Sequence, residues 1–558
     1  MENRIRQAVQ QSLETLGATG VAFAVEWPAD PAHGDFAVNA GFAASKILGK
    51  NPREIAEAIA PALKEALGDD AAHIEVAGAG FINITLSANA VAKLLTEAKG
   101  DTWGIGTAHA GERIMIEYSN PNPFKEMHIG HLMSAIIGES MSRLMESSGA
   151  NVVRDTYGGD VGPHVAKAIW GLRDNGVAET PSAEDIGNAY AHGARAYEES
   201  ETIKKDIDAL NAQIYAMLAK DPTEHSEEER VLHDTWIRGR EVSVTAYRKL
   251  WDRLGSHFDY TIFESDTTPI GMRIVQDEIK NGVFEESEGA VIYRGEKVGL
   301  HTLVFITSYG TPTYETKDIG LAFWKEEHAP TDKVFILTAA EQVGHFKIVI
   351  AALNEFAPQL ANKMQHISHG FLKLTTGKMS SREGNVITAE ELIRDVIERA
   401  SEKNEDPLIA EQVALGAIKY MILRQAPGGD IIFDMEKSLS LEGDSGPYLQ
   451  YALVRATSIL AASEVSPATT TSFENEAPLL ARMITRFPEV VARAEELRGP
   501  HVLVTYLTQL AGEWNFFYAS GKIIGSENEA STLALVQAFV TTMRNGLTIL
   551  AIPVPEKM

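Results

Sequence analysis

The sequence predicts a multidomain α/β protein with a small N-terminal α/β module, a central domain built on a parallel sheet, and a C-terminal bundle of helices. Three observations lead to this prediction. The chain has 558 residues, enough for several domains at about 100–200 residues each. From Arg113 a strand, an amphipathic helix and a second strand follow one another, an order typical of parallel sheets. From about residue 405 the apolar pattern is helical almost to the end.

Residues 1–108 are predicted to form the N-terminal module. The glycine-containing turn Gly78-Ala79-Gly80 separates two short apolar strands. The first helix lacks the apolar core and the cleavage site of a signal peptide, so it is interpreted as part of the module. The predicted elements are helices at about 3–17 and 53–67 and strands at 74–77 and 81–86.

Residues 109–404 are predicted to form the central domain. Residues from about 171 to 262 are polar and helical, and we interpret them as an insertion between two halves of the sheet. The first helix of the domain is expected in HIGHLMSAIIGESMSRLMESSG, after the proline-rich loop SNPNPFKEM. The strands of the sheet are expected in the segments IMIEYS, VVRDTY, VFILTA and GFLKL.

Residues 405–558 are predicted to form the helical bundle. The aromatic residues Trp514, Phe516, Phe517 and Tyr518 cannot all face inward on one helix, so a core role and an exposed stacking role both remain open for them. The predicted helices lie near 410–424, 446–463, 477–497, 500–519 and 530–550.

The composition excludes several classes of function. There is no cysteine, which excludes disulfides, thiolate catalysis and cysteine-based zinc sites. No apolar run reaches the roughly 20 residues that a membrane span needs, so we expect no membrane association and a cytoplasmic location. The formal net charge of −27 argues against non-specific nucleic-acid binding. A nucleic-acid partner would therefore have to meet local basic patches.

The strongest local feature is PNPFKEMHIGH, residues 121–131, which joins a predicted strand to a predicted helix. His128 and His131 are three residues apart at the helix start and therefore face the same way. The helix start offers N–H groups to an anion, and Gly130 lets a flat ring approach the backbone. We interpret the segment as binding ATP at its α-phosphate. Two histidines that cap a surface helix, or a zinc pair without an apparent third ligand, remain as alternatives.

A second polar segment, KMSSR at residues 378–382, follows GFLKL and a short turn. A loop with a lysine, two hydroxyls and an arginine suits the β- and γ-phosphates of ATP. Alone, such a segment is more often an exposed polar loop. In this order and after these elements, the two segments together are specific for ATP chemistry.

These motifs resemble those of the class I aminoacyl-tRNA synthetases, which carry HIGH and KMSKS sequences. HIGH is intact here, and KMSSR stands in the place of KMSKS. The flanking segments are similar to those of the arginyl-tRNA synthetases, and the resemblance spans nearly the whole chain except the insertion. The matching segments are EYSNPNPFKEMHIGH, YGGDVG, GTPTYETKD, GAIKY, GPYLQY, HGDFAVN, GAGFIN and the terminal PEKM.

The resemblance implies a Rossmann-type catalytic domain between an N-terminal module that binds the tRNA elbow and a C-terminal anticodon-binding domain. It implies an enzyme that joins L-arginine to tRNA(Arg) through an arginyl-adenylate, with ATP as substrate, Mg²⁺ accompanying ATP, and AMP and pyrophosphate as products. It further implies that tRNA binds before arginine is activated. We expect the protein to act as a monomer.

The resemblance also assigns arginine-binding residues. Glu117, Tyr314 and Asp318 would hold the guanidinium, a planar cation with five donors that carboxylates bind well. Tyr314 and Asp318 are four residues apart where a helix is expected to begin, so they can share one face. A surface acid at 117 and an acid in the first turn of a helix at 318 are the ordinary alternatives. The amino-acid end of the substrate would contact Ser119, Asn122 and Gln342.

The remaining assignments concern ATP and tRNA, again by resemblance. The groups expected to neutralise charge on the α-phosphate are Lys125, His128, His131 and Lys378. Further ATP contacts are expected from Gly130, Met379, Ser380 and Ser381. The tRNA contacts are expected from Phe81 and Asn83 in the N-terminal module and from Tyr448 and Tyr451 in the bundle.

The chain departs from the family pattern in three places. Ser381 stands where many synthetases carry the second lysine of KMSKS, and Lys125, ahead of HIGH, is expected to substitute for it. Lys317 replaces an arginine in the GTPTYETKD segment, which keeps the charge and loses the fork geometry. The N-terminal module has GAGFIN where some relatives are more polar, which limits its expected tRNA contacts to Phe81 and Asn83.

Three alternative functions remain at this stage. A synthetase of the same class for another amino acid would leave the polar groups of Glu117, Tyr314 and Asp318 unpaired or repelled. A non-catalytic relative that binds tRNA would not need intact HIGH and KMSSR segments. A small-molecule nucleotidyltransferase would not need the helical C-terminal region or the N-terminal module.

Overall fold

A computed structural model of the protein describes residues 1–28, 30–100, 102–176, 181–375 and 387–558. The N-terminal module is a four-stranded antiparallel sheet, in the order β1-β2-β4-β3, with helices packed on it. Both predicted helices and both predicted strands are confirmed, and β3 begins three residues earlier than predicted. The elements are α1 (Glu2–Thr15), β1 (Val25–Glu26), β2 (Phe36–Val38), α2 (Ala40–Leu48), α3 (Pro52–Leu67), β3 (Ala71–Ala77), β4 (Phe81–Leu86) and α4 (Ala88–Glu97).

A five-stranded parallel sheet in the order β12-β11-β5-β6-β7 forms the centre of the next part of the chain. Its middle strand is buried on both faces, as central strands of parallel sheets are. The elements up to the end of the sheet are β5 (Arg113–Glu117), α5 (Ile129–Ser147), β6 (Asn151–Gly158), α6 (Pro163–Asp174), α7 (Ala183–Glu199), α8 (Glu201–Leu218), α9 (Glu227–Leu254), β7 (Tyr260–Phe263), α10 (Glu264–Ile279), β8 (Glu285–Ser287), β9 (Ala290–Tyr293), β10 (Leu303–Ile306), α11 (Tyr314–His328), β11 (Lys333–Ala339), α12 (Val343–Phe356), α13 (Pro358–Ala361) and β12 (Met364–His369).

The prediction that GFLKL extends the main sheet is wrong. The strand in that segment is β13 (Leu372–Leu374), which pairs with a later strand, Ile431–Phe433, in a separate two-stranded sheet. The main sheet instead contains two strands that were not predicted. One is β12, with the sequence MQHISH, and the other is β7, with the sequence YTIF, which lies at the end of the segment predicted to be a helical insertion. Because β12 lies at the edge of the sheet and is only half buried, it is not a continuous apolar run, and its sequence does not look like a buried strand.

Two regions interrupt the chain as it forms the main sheet. Helices α6–α9 lie between the neighbouring strands β6 and β7, not between the two halves of the sheet as predicted, and the second region lies between β7 and β11. Helices α6–α9 contribute a separate apolar cluster that includes Ile207, Ile214 and Trp236. After α10, the strands β8, β9 and β10 form a small antiparallel sheet that the sequence patterns did not predict. Both regions lead the chain back to the sheet, through β7 and through α11.

The last part of the chain is helical, as predicted, with one short strand. The helix predicted at 477–497 is two helices, because Pro488 lies in the first turn of the second one and cannot continue the first. No helix in the described parts of the chain has the length and apolarity to cross a bilayer. The elements are α14 (Ala389–Ser401), α15 (Pro407–Leu423), β14 (Ile431–Phe433), α16 (Met435–Ser438), α17 (Gly446–Ala462), α18 (Leu479–Thr485), α19 (Phe487–Glu496), α20 (Pro500–Ala519) and α21 (Glu529–Ile549).

One apolar core runs through three parts of the molecule. It includes Leu13 of the N-terminal module, Leu132 and Ile136 of α5, and Leu507 of α20. The side chain of Arg143 on α5 adds polar contacts to neighbouring parts of the chain. It donates 2.8 Å hydrogen bonds to the carbonyl oxygens of Gly255, just after α9, and Thr548, in α21. Helix α5 is therefore held by the C-terminal helices as well as by its own sheet.

Candidate functional site

The predicted site residues of the central domain collect at one edge of the main sheet. All five strands are parallel, so their carboxyl ends, at Glu117, Gly158, Phe263, Ala339 and His369, meet at the same edge. From β5 the chain builds the sheet outward through β6 and β7, and later returns to add β11 and β12 on the other side. Ligands of such sheets bind where the order reverses, which here is beside the end of β5.

The loop after β5 has an unusual backbone. Ser119, Asn120 and Phe124 adopt left-handed conformations, with φ of 73°, 50° and 69°, which residues other than glycine rarely do. Neighbouring elements hold the loop in this form. The backbone N–H of Tyr157 in β6 donates to Asn120 Oδ1 at 2.9 Å, and Ser243 Oγ of α9 accepts from the N–H of Phe124 at 3.0 Å. Backbone strain maintained by several neighbours is typical of functional loops.

The two histidines of HIGH cap the start of α5 with their own side chains. Nδ1 of His128 accepts the backbone N–H of Gly130 at 3.0 Å, and Nδ1 of His131 accepts the backbone N–H of His128 at 3.3 Å. The two rings stack with their centroids 3.7 Å apart. Because each Nδ1 accepts a hydrogen bond, the proton of each neutral ring lies on Nε2. The pair therefore presents two Nε2–H donors.

Gly130 is required by this cap. A Cβ at Gly130 would lie 2.8 Å from Cε1 of the His128 ring. That Gly130 also lets a flat ring approach the backbone when ATP binds stays a prediction.

The electrostatic surroundings keep both histidines neutral. Burial, together with the nearby Lys125 and His369, lowers the pKa of His128 and holds the pKa of His131 well below its usual value. The ammonium of Lys125 lies 4.8 Å from the ring centroid of Tyr190 on α7. The structure thus brings together Lys125, His128 and His131. The other predicted ATP-binding residues, Lys378, Met379, Ser380 and Ser381, lie outside the described residues.

Glu117, the last residue of β5, is buried, with 2% of its surface exposed. Oε2 accepts from Lys325 Nζ at 2.6 Å, and Oε1 accepts from Asn120 Nδ2 at 2.8 Å. The same ammonium lies 2.8 Å from Asp155 Oδ2 of β6. Burial opposes the charge of Lys325, but Asp155 and Glu117 outweigh it and raise the pKa of Lys325 to about 12.

Asp318, one turn after Tyr314 on α11, has a different cation as its partner. His345 Nε2 contacts Asp318, and His345 Nδ1 lies 3.1 Å from Glu315 Oε1. Burial alone would lower the pKa of His345, but Asp318 and Glu315 outweigh burial and raise it to about 10. Asp318 and Glu117 line one small cavity of about 20 Å³, so the structure brings these two predicted arginine-binding carboxylates together.

The other predicted substrate contacts do not line this cavity. Tyr314 is 66% exposed, and the ammonium of Lys317 lies 5.1 Å from the centroid of its ring. Lys317 is itself paired with Glu264 at 2.6 Å. Burial raises the pKa of Glu264, against the effect of Lys317, to about 7. Gln342 is exposed in a short turn after β11.

Ser119 and Asn122 are already hydrogen-bonded within the protein. Ser119 Oγ accepts from the indole N–H of Trp251 at 3.0 Å. Asn122 Oδ1 accepts from the backbone N–H of Gly159 at 2.9 Å. Both side chains thus help to fix the loop that they belong to.

The predicted tRNA contacts differ in accessibility. In the N-terminal module Phe81 is 44% exposed, and its ring centroid lies 4.9 Å from that of Phe42, whereas Asn83 is only 7% exposed and offers little surface to an RNA. In the bundle, Tyr448 Oη accepts from the Asn515 side chain at 3.1 Å. Tyr451 is half buried, with the Arg455 guanidinium 5.9 Å from its ring centroid.

The aromatic series in α20 contains both core residues and exposed residues. Trp514 is completely buried in the core, whereas Phe516 is 70% exposed. The guanidinium of Arg455 lies 3.7 Å from the ring centroid of Tyr518, which is half buried. The core role thus applies to Trp514, and the exposed role stays open for Phe516.

Several residues of the candidate site could not be recognised from the sequence patterns. Asn120, Lys325 and His345 make direct contacts with the predicted arginine-binding carboxylates, and Asp155 contacts Lys325. One signal was available for Lys325, which follows Asp318 by two helical turns and therefore shares its face with the apolar Leu321 and Ala322. A lysine on an otherwise apolar face indicates a buried partner of opposite charge.

Comparisons with known proteins cover almost the entire chain. A family model described as "tRNA synthetases class I (R), catalytic domain" matches residues 91–435. A model described as "Arginyl tRNA synthetase N terminal domain" matches residues 3–86, and one described as "DALR anticodon binding domain" matches residues 449–558.

Relatives and solved structures resemble the chain over its length. The arginine–tRNA ligase of Chromobacterium violaceum is 32% identical over 99% of this chain and 99% of its own. The arginine–tRNA ligase of Bdellovibrio bacteriovorus is 31% identical over 93% of this chain and 91% of its own. The structure of Thermus thermophilus arginyl-tRNA synthetase is 26% identical, with a TM-score of 0.81 and coverage of 99% of both chains.

Proposed function

The chain belongs to the class I arginyl-tRNA synthetases, and on that premise we propose how its own residues perform the reaction. As a member of this family it is an enzyme that attaches arginine to tRNA for translation, with ATP as a substrate. One observation carries the residue assignments. Glu117, which ends β5, lines the cavity that also contains Asp318, and the loop after Glu117 leads directly to the paired histidines of α5. The two substrates would therefore meet at the end of a single strand.

In the first step the carboxylate of arginine attacks the α-phosphorus of ATP, and pyrophosphate leaves. The Nε2–H groups of His128 and His131 donate to the α-phosphate as its charge develops, and Lys125 adds a positive charge beside them. Gly130 keeps the His128 ring in its cap. By resemblance, Lys378, Met379, Ser380 and Ser381 bind the β- and γ-phosphates.

Mg²⁺ is expected to enter with ATP. Within the described ranges there is no group of three histidine, aspartate or glutamate side chains placed to hold a metal ion by itself. Phosphate oxygens are ligands that Mg²⁺ prefers, so the nucleotide would hold the ion and the protein would contact the complex. The ion would supply positive charge to the phosphates.

Arginine is recognised through its guanidinium. Glu117 and Asp318 accept hydrogen bonds from its N–H groups, and Tyr314 covers the pocket from the start of α11. Burial raises the pKa of Asp318, against the effect of His345, so a bound cation would stabilise its ionised form. The contacts to the amino-acid end come from Ser119, Asn122 and Gln342.

In the second step the terminal 2′-hydroxyl of tRNA attacks the arginyl-adenylate, and AMP leaves. Phe81 is proposed to stack on an RNA base with Phe42 behind it, and Tyr448 and Tyr451 are the other proposed tRNA contacts. The buried Asn83 is not proposed to contact the RNA directly. Tyr451 has the stronger support of the two bundle tyrosines, because Arg455 beside it supplies positive charge. We propose that tRNA must bind before arginine is activated.

The proposed function also assigns a role to each of the three parts of the chain. We propose a tRNA-elbow module at 1–108, a catalytic domain at 109–404 with an insertion at about 171–262, and an anticodon-binding domain at 405–558. We also propose that the protein works as a monomer in the cytoplasm. The absence of cysteine fits that compartment, where thiols are kept reduced.

ATP–pyrophosphate exchange tests the proposed function. The purified protein would be assayed with each amino acid in turn, with and without tRNA. Exchange with arginine that requires tRNA is the expected result. Exchange with another amino acid would overturn the roles of Glu117, Tyr314 and Asp318, and folded protein that binds tRNA without exchange would overturn the catalytic roles of the histidines.

A further inference from the structure

Each of the two carboxylates proposed to bind the guanidinium is one end of a group of three charged residues. The Glu117 triad consists of Glu117, Lys325 and Asp155, and the Asp318 triad consists of Asp318, His345 and Glu315. In both triads a cation lies between two carboxylates.

The backbone brings the two acids of each triad together. Glu117 and Asp155 are direct partners in the register of β5 and β6. Glu315 and Asp318 are three residues apart on α11, on one face of the helix. Like charges in either arrangement repel each other, so each pair requires a cation.

In the Glu117 triad that cation comes from α11, which packs on the sheet. Lys325 Nζ lies 2.6 Å from Glu117 and 2.8 Å from Asp155, and all three side chains are buried. Lys325 occupies only one oxygen of Glu117, and Asn120 holds the other from the loop side. The orientation of the Glu117 carboxylate is thus fixed before any substrate arrives.

In the Asp318 triad the cation comes from α12. Each ring nitrogen of His345 faces a carboxylate oxygen, and a neutral imidazole has only one N–H. The geometry therefore requires the doubly protonated, positively charged ring. His345 holds Asp318 from one side, as Lys325 holds Glu117.

The two triads have the same net charge. Two carboxylates and one cation leave each triad with a net charge of about −1 when all groups are ionised. Glu117, Lys325 and Asp318 line the same small cavity, so one carboxylate of each triad lies against it. A buried uncompensated charge is costly, and a substrate that carries a cation removes that cost, whereas a neutral molecule of the same shape does not.

We propose that Lys325 and His345 are positioning residues that determine the specificity for arginine. Each residue fixes the orientation of one substrate-binding carboxylate and neutralises one of the two negative charges of its triad. The negative charge that remains in each triad favours a guanidinium over a neutral group of the same shape. This inference rests on the proposed roles of Glu117 and Asp318, and it adds Asp155 and Glu315 as the residues that set the charge.

The test compares arginine with citrulline, which replaces the guanidinium by a neutral urea group of similar shape. The kcat/KM of tRNA-dependent pyrophosphate exchange would be measured for both. Asp155→Asn and Glu315→Gln each bring one triad to zero net charge. Each is expected to reduce the preference for arginine by about tenfold or more, mainly through a higher KM for arginine, because the charge lies away from the reacting atoms. A merely structural defect would lower kcat for both substrates alike.

Charge balance provides the sharper experiment. Lys325→Met leaves two buried carboxylates without their cation, and the double variant Lys325→Met with Asp155→Asn restores a net charge of −1. The double variant is expected to recover at least about tenfold in arginine kcat/KM over the single one. The matched control is Lys363→Met, because Lys363 lines the same cavity but pairs with the surface residue Glu326.

Two outcomes would overturn the inference. One is a double variant that is folded, by circular dichroism, and no better than Lys325→Met. The other is an unchanged preference for arginine over citrulline in both Asp155→Asn and Glu315→Gln. The variant Glu117→Gln distinguishes a failure of this inference from a failure of the proposed function. If Glu117→Gln leaves the KM for arginine unchanged, the proposed binding role of Glu117 itself is wrong.

Discussion

The candidate site has two regions, which we call the ATP side (His128, Gly130 and His131) and the arginine side (Glu117, Asp318 and their partners). Buried histidines have opposite charge states in the two regions. Burial lowers the histidine pKa on both sides. At the start of α5 the partners of His128 and His131 are backbone N–H groups, which need a lone pair, and nearby cations lower their pKa further. On α12 the partners of His345 are two carboxylates, which raise its pKa to about 10. The hydrogen-bonding partner, rather than depth of burial, decides whether the ring is a neutral donor or a permanent cation.

The largest expected effect comes from removing a donor on the ATP side. His128→Ala should lower kcat for pyrophosphate exchange by about 100-fold or more, as removal of one donor to a transition-state charge does. The KM for arginine should change little. The measurement is exchange at saturating ATP, arginine and tRNA.

A second variant separates catalysis from helix capping. His128→Asn keeps an N-cap acceptor and should retain the thermal stability that His128→Ala loses, while its kcat stays low. Recovery of kcat in His128→Asn would mean that the histidine acts only as a cap.

On the arginine side the expected effect is smaller and appears in binding. His345→Gln keeps one donor but loses the positive charge, so Asp318 is less firmly held and its pKa is expected to rise. We expect the KM for arginine to increase about tenfold with kcat within about threefold. The matched control is His328→Gln, an exposed histidine at the end of α11. A change in kcat alone would place His345 with the ATP-side histidines.

Gly130→Ala tests whether the cap on the ATP side must be tight. The added methyl group would press on the His128 ring, so the ring must turn away from its acceptor position. We expect kcat to fall by about tenfold or less, a smaller effect than loss of the ring, because the donor is displaced rather than removed. An unchanged kcat would show that the position of the ring matters little.

The smallest expected effect is on the free energy of unfolding, whose pH dependence should differ between variants of the two sides. The folded pKa of His345, about 10, lies above the unfolded value of about 6.5. Its stabilisation is therefore full below about pH 6.5 and is lost as pH rises through about 10. The difference in unfolding free energy between the original protein and His345→Gln, measured in urea from pH 6 to 10, should narrow as pH rises. A constant difference would contradict the charged state of His345.

The ATP-side histidines should show the reverse trend. Their folded pKa values lie below the unfolded one, so their contribution is complete above about pH 6.5 and is lost as pH falls. The unfolding free energy of His128→Ala should therefore approach that of the original protein under mildly acidic conditions.

The sequence patterns alone indicate how His128, Gly130 and His131 lie together, but they do not indicate the contacts among the residues of the arginine side, for a physical reason. His128, Gly130 and His131 are neighbours along the chain, and their geometry follows from the start of one helix. The arginine side joins Glu117, Asp155, Lys325 and His345, which come from four separate elements. A lysine in a helix shows no sign, in the sequence alone, of which strand it will meet.

The same distinction holds for the fold. Continuous apolar runs such as VFILTA identify central strands of the parallel sheet, whereas the edge strand Met364–His369 keeps polar residues and was not recognised. Strands of three or four residues, such as Ile431–Phe433, exist only because a partner strand lies beside them.

The apolar core shared by the N-terminal module, α5 and the C-terminal helices has a consequence for how such a chain can be cut or recombined. Removing the C-terminal helices would uncover apolar residues of α5, such as Leu132, and leave the guanidinium of Arg143 without the carbonyl of Thr548. The helix that carries the two histidines would then lose part of its own support. Gene fusions and truncations that respect the apparent domain boundaries should therefore yield an insoluble or inactive catalytic fragment, and the three parts should be inherited together as one unit.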